Sequence, residues 1–280
     1  MSDSNQFKLA GVMGMPVFQS RSPILHNYWI KKYNLKGAYG HFPVQIKNVE
    51  AAVRGLSALG IAGCNITQPH KLHAMKLMDQ LSPMAQRIGA INCIVVQPDG
   101  SLHGFNNDGF GYIQSLKDAK PTWRADEGPI VVLGSGGAAR AVVISLLDEG
   151  AKEIRLINRT RAKADELACV NTSVVKTFEW DERDAALEGA AMLVNTTNQG
   201  MYGQPPLEIQ LDALPKTAMV SDLIYIPLET PLLAAARERG NLTVNGLGML
   251  LNQGIPAFEA WFGVKPEITE DLRNAILATF

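Results

Sequence analysis

Lys71 falls in the first turn of a helix that Pro69 should open, where a cation faces the positive end of the helix dipole. Such a placement costs roughly 0.3–1 kcal/mol. A local rule broken with no local gain marks a position kept for chemistry, and an amine held there suits proton transfer to a reacting oxygen. His70 beside it reads as an ordinary helix residue, partly buried or exposed. Asn106-Asn107-Asp108-Gly109 ends a strand and opens another helix, so Asp108 serves either as an N-cap or as the carboxylate that orients Lys71 and a substrate hydroxyl. In Ser20-Arg21-Ser22-Pro23, Ser22 reads as an N-cap with Pro23 at the first helical position. Capping does not require Ser20, and two hydroxyls beside a helix N-terminus make a cradle for a carboxylate.

A second constellation begins at the apolar strand Ile130-Val131-Val132-Leu133, which runs into Gly134-Ser135-Gly136-Gly137-Ala138-Ala139-Arg140 and then a helix. Strand, glycine turn and helix in that order are the context of a dinucleotide fingerprint. Gly134 permits the tight turn, Gly136 lets backbone approach a pyrophosphate, and Ala139 stands where the third glycine allows close helix–strand packing. The next strand ends in Asn158-Arg159-Thr160-Arg161-Ala162-Lys163. An NAD site expects a carboxylate there for the ribose 2′-hydroxyl; three cations and a hydroxyl stand there instead. A solvated first turn capped by Thr160 is the plainer account, yet three cations at a helix start oppose the dipole unless an anion joins them. An arginine fork matches a 2′-phosphate, so NADP is favoured over NAD.

Alternating elements must position these residues. Strands are expected at 7–12, 39–44, 62–66, 90–96 and 102–105, with helices at 23–33, 49–59 and 69–78 between them. Gln97-Pro98-Asp99-Gly100 signals a hairpin, so the first sheet should be mostly parallel with an antiparallel strand at one edge. Residues 120–129, polar and rich in breakers, read as a linker into a second domain with strands at 130–133, 154–157, 173–177, 192–195, 219–223 and 242–244. Two last helices, 246–261 and 267–279, follow without a strand partner. The 280 residues suit two domains. With 26 basic and 27 acidic side chains the net charge is −1, which gives no footprint for nucleic acid or an anionic membrane. Cys64, Cys93 and Cys169 are scattered and read as small buried hydrophobes, with no disulfide or metal set. No signal peptide or membrane-spanning run is visible, which makes the cytoplasm the expected address.

Ser20-Arg21-Ser22-Pro23-Ile24-Leu25-His26-Asn27, Gly63-Cys64-Asn65-Ile66-Thr67-Gln68-Pro69-His70-Lys71, Gly89-Ala90-Ile91-Asn92 and Asn106-Asn107-Asp108-Gly109 follow one another in the first half. The glycine turn, Asn158-Arg159-Thr160, Asp222-Leu223-Ile224-Tyr225-Ile226-Pro227 and Gly246-Leu247-Gly248-Met249-Leu250-Leu251-Asn252-Gln253 follow in the second. Taken in order, these segments resemble the shikimate dehydrogenase family over nearly the whole chain. The resemblance implies an α/β fold of two domains: a mixed-sheet substrate domain over 1–107, completed by helices in 246–280, and a Rossmann-type NADP domain over 108–245. It implies reversible NADPH-dependent reduction of 3-dehydroshikimate to shikimate, in aromatic amino-acid biosynthesis. Substrate is then expected between the domains.

By the same resemblance, Ser20, Ser22 and Tyr225 hold the substrate carboxylate; Thr67, Asn92, Asp108 and Gln253 bond the ring hydroxyls; and Lys71 with Asp108 forms the catalytic pair. Gly134, Ser135, Gly136, Gly137 and Ala138 cradle the cofactor, Asn158, Arg159, Thr160 and Lys163 hold its 2′-phosphate end, and Leu223 and Gly246 line the nicotinamide pocket. Three positions depart from the family pattern: Asn107 replaces a usual Thr, Gln68 an apolar residue, and Asn198 a Ser. The departures leave open a relative acting on quinate or an aminated shikimate, and a non-catalytic NADP sensor is the reading from another class. A small-molecule partner and a monomer or homodimer are expected.

Overall fold

The computed structural model describes residues 6–280. The chain divides into two α/β units, one running to Asn107 and resuming at Leu251–Phe280, the other Asp108–Leu250. In the first unit, β1 (Lys8–Gly14), β2 (Gly37–Pro43), β3 (Ile61–Ile66), β4 (Gln80–Leu81), β5 (Cys93–Val96) and β6 (Leu102–Phe105) form one sheet in the order β2-β1-β3-β5-β6-β4. Strand β1 is parallel to β2 and β3, and β4 is parallel to β6, while β5 runs against both β3 and β6. The reversed strand is therefore interior, not at an edge as the sequence reading had it. The hairpin closed by Gly100 N–H to the Gln97 carbonyl (2.8 Å) carries β6 outward beyond β5, and the two-residue β4 then adds outside β6.

Helices α1 (Ser22–Lys32), α2 (Val49–Ala58), α3 (Lys71–Met75) and α4 (Pro83–Ile88) accompany this sheet. On α2, Val49, Val53 and Leu56 recur at helical spacing and are buried, which is why that segment declares itself in sequence. Helix α4 is too short to show a period; it is defined by its ends, Ser82 accepting from Ala85 N–H (3.2 Å) and Gly89 in the left-handed region at φ 73°. Helix α3 is half the expected length and begins at Lys71, after a cis Gln68–Pro69 bond.

In the second unit, β7 (Ile130–Leu133), β8 (Ile154–Ile157), β9 (Val175–Phe178), β10 (Met192–Asn195), β11 (Met219–Asp222) and β12 (Leu242–Val244) are all parallel, in the order β12-β11-β10-β7-β8-β9. This is the doubly wound order, reversing between β7 and β10. Alternate residues of β7 enter different cores: Ile130 and Val132 pack with Val142, Leu146 and Leu156, while Val131 and Leu133 pack with Leu193, Val220 and Leu232. A strand covered on both faces has to be apolar throughout. Helices α5 (Asp108–Ala119), α6 (Gly137–Asp148), α7 (Arg161–Ala168) and α8 (Pro231–Glu238) accompany it. Segment 120–129 is no linker: it lies inside this unit, with Trp123 and Ala125 buried in the core that contains Leu116 and Val132. Its polar look comes from the exposed pairs Lys120–Glu127 and Arg124–Asp126.

Helix α9 (Leu247–Phe262) is shared, and from Leu251 it belongs to the first unit together with α10 (Glu270–Leu277). Trp261 donates from Nε1 to the Ile94 carbonyl (3.0 Å), and a Cβ on Gly63 would collide with both groups. Around α10, Trp29 Nε1 donates to Glu267 O (2.9 Å), Tyr28 meets the Thr269 hydroxyl (2.9 Å), and Arg21 reaches Thr279 O (2.7 Å). No described helix is long and apolar enough to cross a membrane. Cys64 and Cys93 are buried as expected, but Cys169, in the turn after α7, is exposed.

His26 lies wholly inside this unit, stacked on Tyr39 (4.2 Å) and flanked by Trp29, Phe258 and Trp261. Burial pushes its imidazole down to about 3, with a smaller opposing effect from Asn65. A folded-state pKa below the unfolded value of 6.5 means the unfolded chain binds more protons in between. Stability is thus complete above 6.5 and is lost as pH falls toward 3. Between pH 7.5 and 4.5 this one residue should remove about 3 kcal/mol. Urea unfolding of wild type and His26→Phe across that interval checks it: the variant's stability should fall less steeply, and equal slopes would refute the assignment.

Candidate active site

In the first unit the marked residues gather where β1 and β3 end. Thr67 N–H bonds Met13 O (2.9 Å), and its methyl occupies the place a Cβ on Gly14 would need. His70 is buried, and its Nε2 meets the Val44 carbonyl (2.6 Å), so it anchors the start of α3 to the turn after β2. Lys71 follows as the first helical residue, half-buried, with its carbonyl accepting from Ile91 N–H (3.4 Å). The neighbouring Asn92 is buried; its Nδ2 donates to Gln253 Oε1 (3.4 Å) and its Oδ1 accepts from Asn107 N–H (2.9 Å).

Ser22 is not the N-cap. It is the first residue of α1, Arg21 takes the cap position without a side-chain bond, and Pro23 is second. Ser20 supplies the missing acceptor, its Oγ receiving Ser22 N–H (3.3 Å). The buried Ser22 hydroxyl instead bonds the Tyr39 phenol, which donates to Asn65 Oδ1 (2.7 Å), and Asn65 Nδ2 donates to the Asn92 carbonyl (3.1 Å). Burial raises the Tyr39 phenol well above its usual range, so it stays a donor. A line of hydrogen bonds thus joins Ser22 to Asn92 and Gln253. Tyr39 and Asn65 went unassigned in sequence; Asn65 is a polar residue inside a largely buried strand, whereas Tyr39 is the one buried residue of β2 and carried no such signal.

In the second unit, Gly134 has φ 107°, a conformation L side chains rarely adopt, and a Cβ there would press on Thr196 Oγ1 at 2.5 Å. Gly136 and Gly137 differ: neither lies in the left-handed region, and a Cβ on either would meet nothing. The fold itself has no need of glycine at these two positions. Helix α6 begins here with no side-chain cap and no acid in its first turn, which leaves its N–H groups for an anion. Ser135 and Ala138 flank them half-buried, and Ala139 is fully buried against the sheet.

The three cations after β8 divide. Arg161 is engaged by Asp165 (2.9 Å) and Glu179 (2.8 Å), whereas exposed Arg159 and Lys163 have no side-chain partner among the described residues. Thr160 takes the N-cap position of α7 but its side chain caps nothing, and Asn158 donates to its carbonyl (2.8 Å). A glycine cradle free of Cβ atoms, an uncapped helix start and two unpaired cations fit a dinucleotide carrying a 2′-phosphate. Asp108 is buried as the first residue of α5, whose Gly109 packs directly against Ser145 of α6. Leu223 and Gly246 touch through backbone, since a Cβ on Gly246 would strike the Leu223 carbonyl, and half-buried Tyr225 follows in the same turn. Beneath them lie Asn195, Asp222 and Thr230, all buried and given no role by sequence.

A doubly wound sheet with this cradle, joined to a second α/β unit bearing a lysine and a polar line, defines a dinucleotide-dependent oxidoreductase. Residues 12–94 match the family described as shikimate dehydrogenase substrate binding domain, 118–202 that of shikimate / quinate 5-dehydrogenase, and 246–277 that of shikimate 5′-dehydrogenase C-terminal domain. The chain is 52% identical to the shikimate dehydrogenase (NADP(+)) of Rhodospirillum rubrum, covering 96% of this chain and 97% of that one. Among solved structures, a shikimate dehydrogenase in complex with NADP+ aligns with TM-score 0.88 and 39% identity over 98% of this chain and 96% of its own. A quinate dehydrogenase from Corynebacterium glutamicum in complex with NAD aligns at 0.90 with 27% identity, over 98% and 100%. The chain belongs to the shikimate dehydrogenase family.

Proposed function

We propose that the chain catalyses reversible NADP-dependent reduction of 3-dehydroshikimate to shikimate, a cytoplasmic step toward the aromatic amino acids. The observation that carries this reading is the hydrogen-bonded line from Ser22 through Tyr39, Asn65 and Asn92 to Gln253, with the Lys71 backbone tied in beside it. A cyclic polyol acid needs that mixture: hydroxyl donors for a carboxylate at one end and amide groups for ring hydroxyls at the other. In this reading Ser20, Ser22 and Tyr225 hold the carboxylate, and Thr67, Asn92, Asp108 and Gln253 the hydroxyls. NADPH, when bound, supplies the hydride. Lys71 gives a proton from Nζ to the carbonyl oxygen, directly or through a group it orients, and takes it back in the oxidation direction. Asp108 steers the amine and the same oxygen.

Of the three departures from the family pattern, two lie at exposed positions and one bonds a residue of this site. Gln68 and Asn198 are exposed, the Asn198 side chain donating to Gln204 (2.9 Å), and Asn107 contributes its backbone N–H to Asn92. NADP reduction with shikimate and quinate side by side is the test. Shikimate should give the larger kcat/KM by about tenfold or more, as a site built for one hydroxyl pattern penalises another. Preference for quinate would overturn the substrate; no turnover with either would favour a binding role.

A further inference from the structure

Asp222 ends β11 almost fully buried, with no cation beside it among the described residues. Three donors converge on its carboxylate: Thr230 Oγ1 (2.7 Å), Ile224 N–H (3.1 Å) and Asn195 Nδ2 (3.1 Å). Each comes from a different stretch of chain. Thr230 is the N-cap of α8, its oxygen accepting Leu233 N–H (3.3 Å); Ile224 lies in the turn leaving β11; Asn195 ends β10.

Asn195 passes the constraint on. Its Oδ1 accepts from Thr197 N–H (3.0 Å) and Oγ1 (2.7 Å), its Nδ2 also donates to Gln199 O (3.2 Å), and Thr197 Oγ1 accepts Gln199 N–H (3.1 Å). Leu223 N–H bonds Asn195 O (3.0 Å), and Gly246 N–H bonds Ile224 O (2.9 Å). One carboxylate therefore fixes three turns at the C-terminal strand edge beside the sheet's reversal, where ligands of doubly wound folds sit. Burying it is costly, and the desolvation raises its pKa despite the three donors. A helix cap alone would need only the Thr230 hydroxyl already present.

We propose that Asp222 is a positioning residue for the reaction, holding the Leu223–Tyr225 turn in the shape that nicotinamide and the substrate carboxylate require. This rests on the proposed function, in which Tyr225 holds the substrate carboxylate, and on the place at the nicotinamide pocket that the family resemblance implies for Leu223. Asp222 touches neither ligand; it acts through backbone.

Steady-state kinetics of Asp222→Ser and Asp222→Asn test it, alongside binding of adenosine 2′,5′-bisphosphate, which probes the Arg159 end of the same unit. Displacement of the turn by a fraction of an ångström should lower kcat/KM for shikimate on the order of ten- to a hundredfold in the serine variant. The asparagine variant keeps an acceptor for Ile224 and Asn195 and should recover most of that loss. Bisphosphate affinity should stay within about twofold of wild type in both, as for sites without shared partners. Bisphosphate affinity falling in step with kcat/KM would mean general damage and overturn the proposal, as would wild-type kinetics in Asp222→Ser. If the serine variant does not fold, Thr230→Val removes one donor with the carboxylate in place and should show the same split on a smaller scale. Tyr225→Phe separates the two readings. Unchanged shikimate KM there removes the site assignment, whereas raised KM there with wild-type values in Asp222→Ser removes only the positioning role.

Discussion

Lys71→Ala and Asp108→Ala should each lower kcat with shikimate by about 10²–10⁴-fold, the range for groups that move a proton in the transition state. Lys71 is suited to this by its setting. It begins a five-residue helix whose start is pinned by His70 to Val44 and whose first carbonyl is bonded by Ile91, so its backbone is fixed while the residue as a whole is only half-buried. Asp108 is buried at the head of a twelve-residue helix locked to α6 at Gly109. If the two act as a unit, the double variant should be far less than multiplicatively worse than the singles. NADP binding should survive both changes, because neither belongs to the glycine cradle or the cations after β8. Single variants that retain more than about a tenth of wild-type kcat fall outside the acid–base range and dismiss the pair.

Arg159→Ala should raise the KM for NADP by about 10- to 150-fold, equivalent to losing a charged hydrogen bond of about 1.5–3 kcal/mol, and leave the KM for NAD nearly unchanged. The structure sharpens this into a contrast between neighbours. Arg161 is committed to Asp165 and Glu179, so Arg161→Ala should hardly alter the cofactor preference, while Lys163→Ala should weaken NADP by less than Arg159→Ala, an ammonium being a point charge without the fork. Wild-type enzyme equally efficient with NAD and NADP would refute the assignment; so would an Arg161 variant more impaired than the Arg159 one.

Where a segment's own pattern determines its structure, it could be read directly. The strand at 130–133 was legible to the residue because burial on both faces forces a continuous apolar run, and those at 154–157 and 192–195 because they are apolar but for Arg155 and Asn195. Helix α4 and strand β4 were not, because a six-residue helix and a two-residue strand have no period to show. The place of β5 in its sheet depends on which way a hairpin is carried, which only tertiary packing decides. Ser22 shows the same limit at a site. Its type and its Pro neighbour announced a helix start correctly, but which hydroxyl satisfies which N–H depended on Tyr39, distant in sequence. The three cations after β8 could be counted in sequence, whereas their division among the described residues into one engaged and two without a side-chain partner needed Glu179 from the following strand's end.

The first unit is interrupted: its sheet is encoded before the second unit, yet Trp261 and the segment around α10 that Trp29 and Arg21 bond are encoded after it. On a ribosome, which delivers a chain from its N-terminus, the doubly wound unit is fully synthesised before the earlier one can close. Until Trp261 and α10 have been synthesised, Gly63 and Ile94 have no indole against them and α1 lacks its α10 neighbour. The nascent enzyme therefore passes through an interval in which its nucleotide half can be native and its substrate half cannot. A stop codon between Leu251 and Trp261 would remove both the indole and α10 and leave it permanently in that condition.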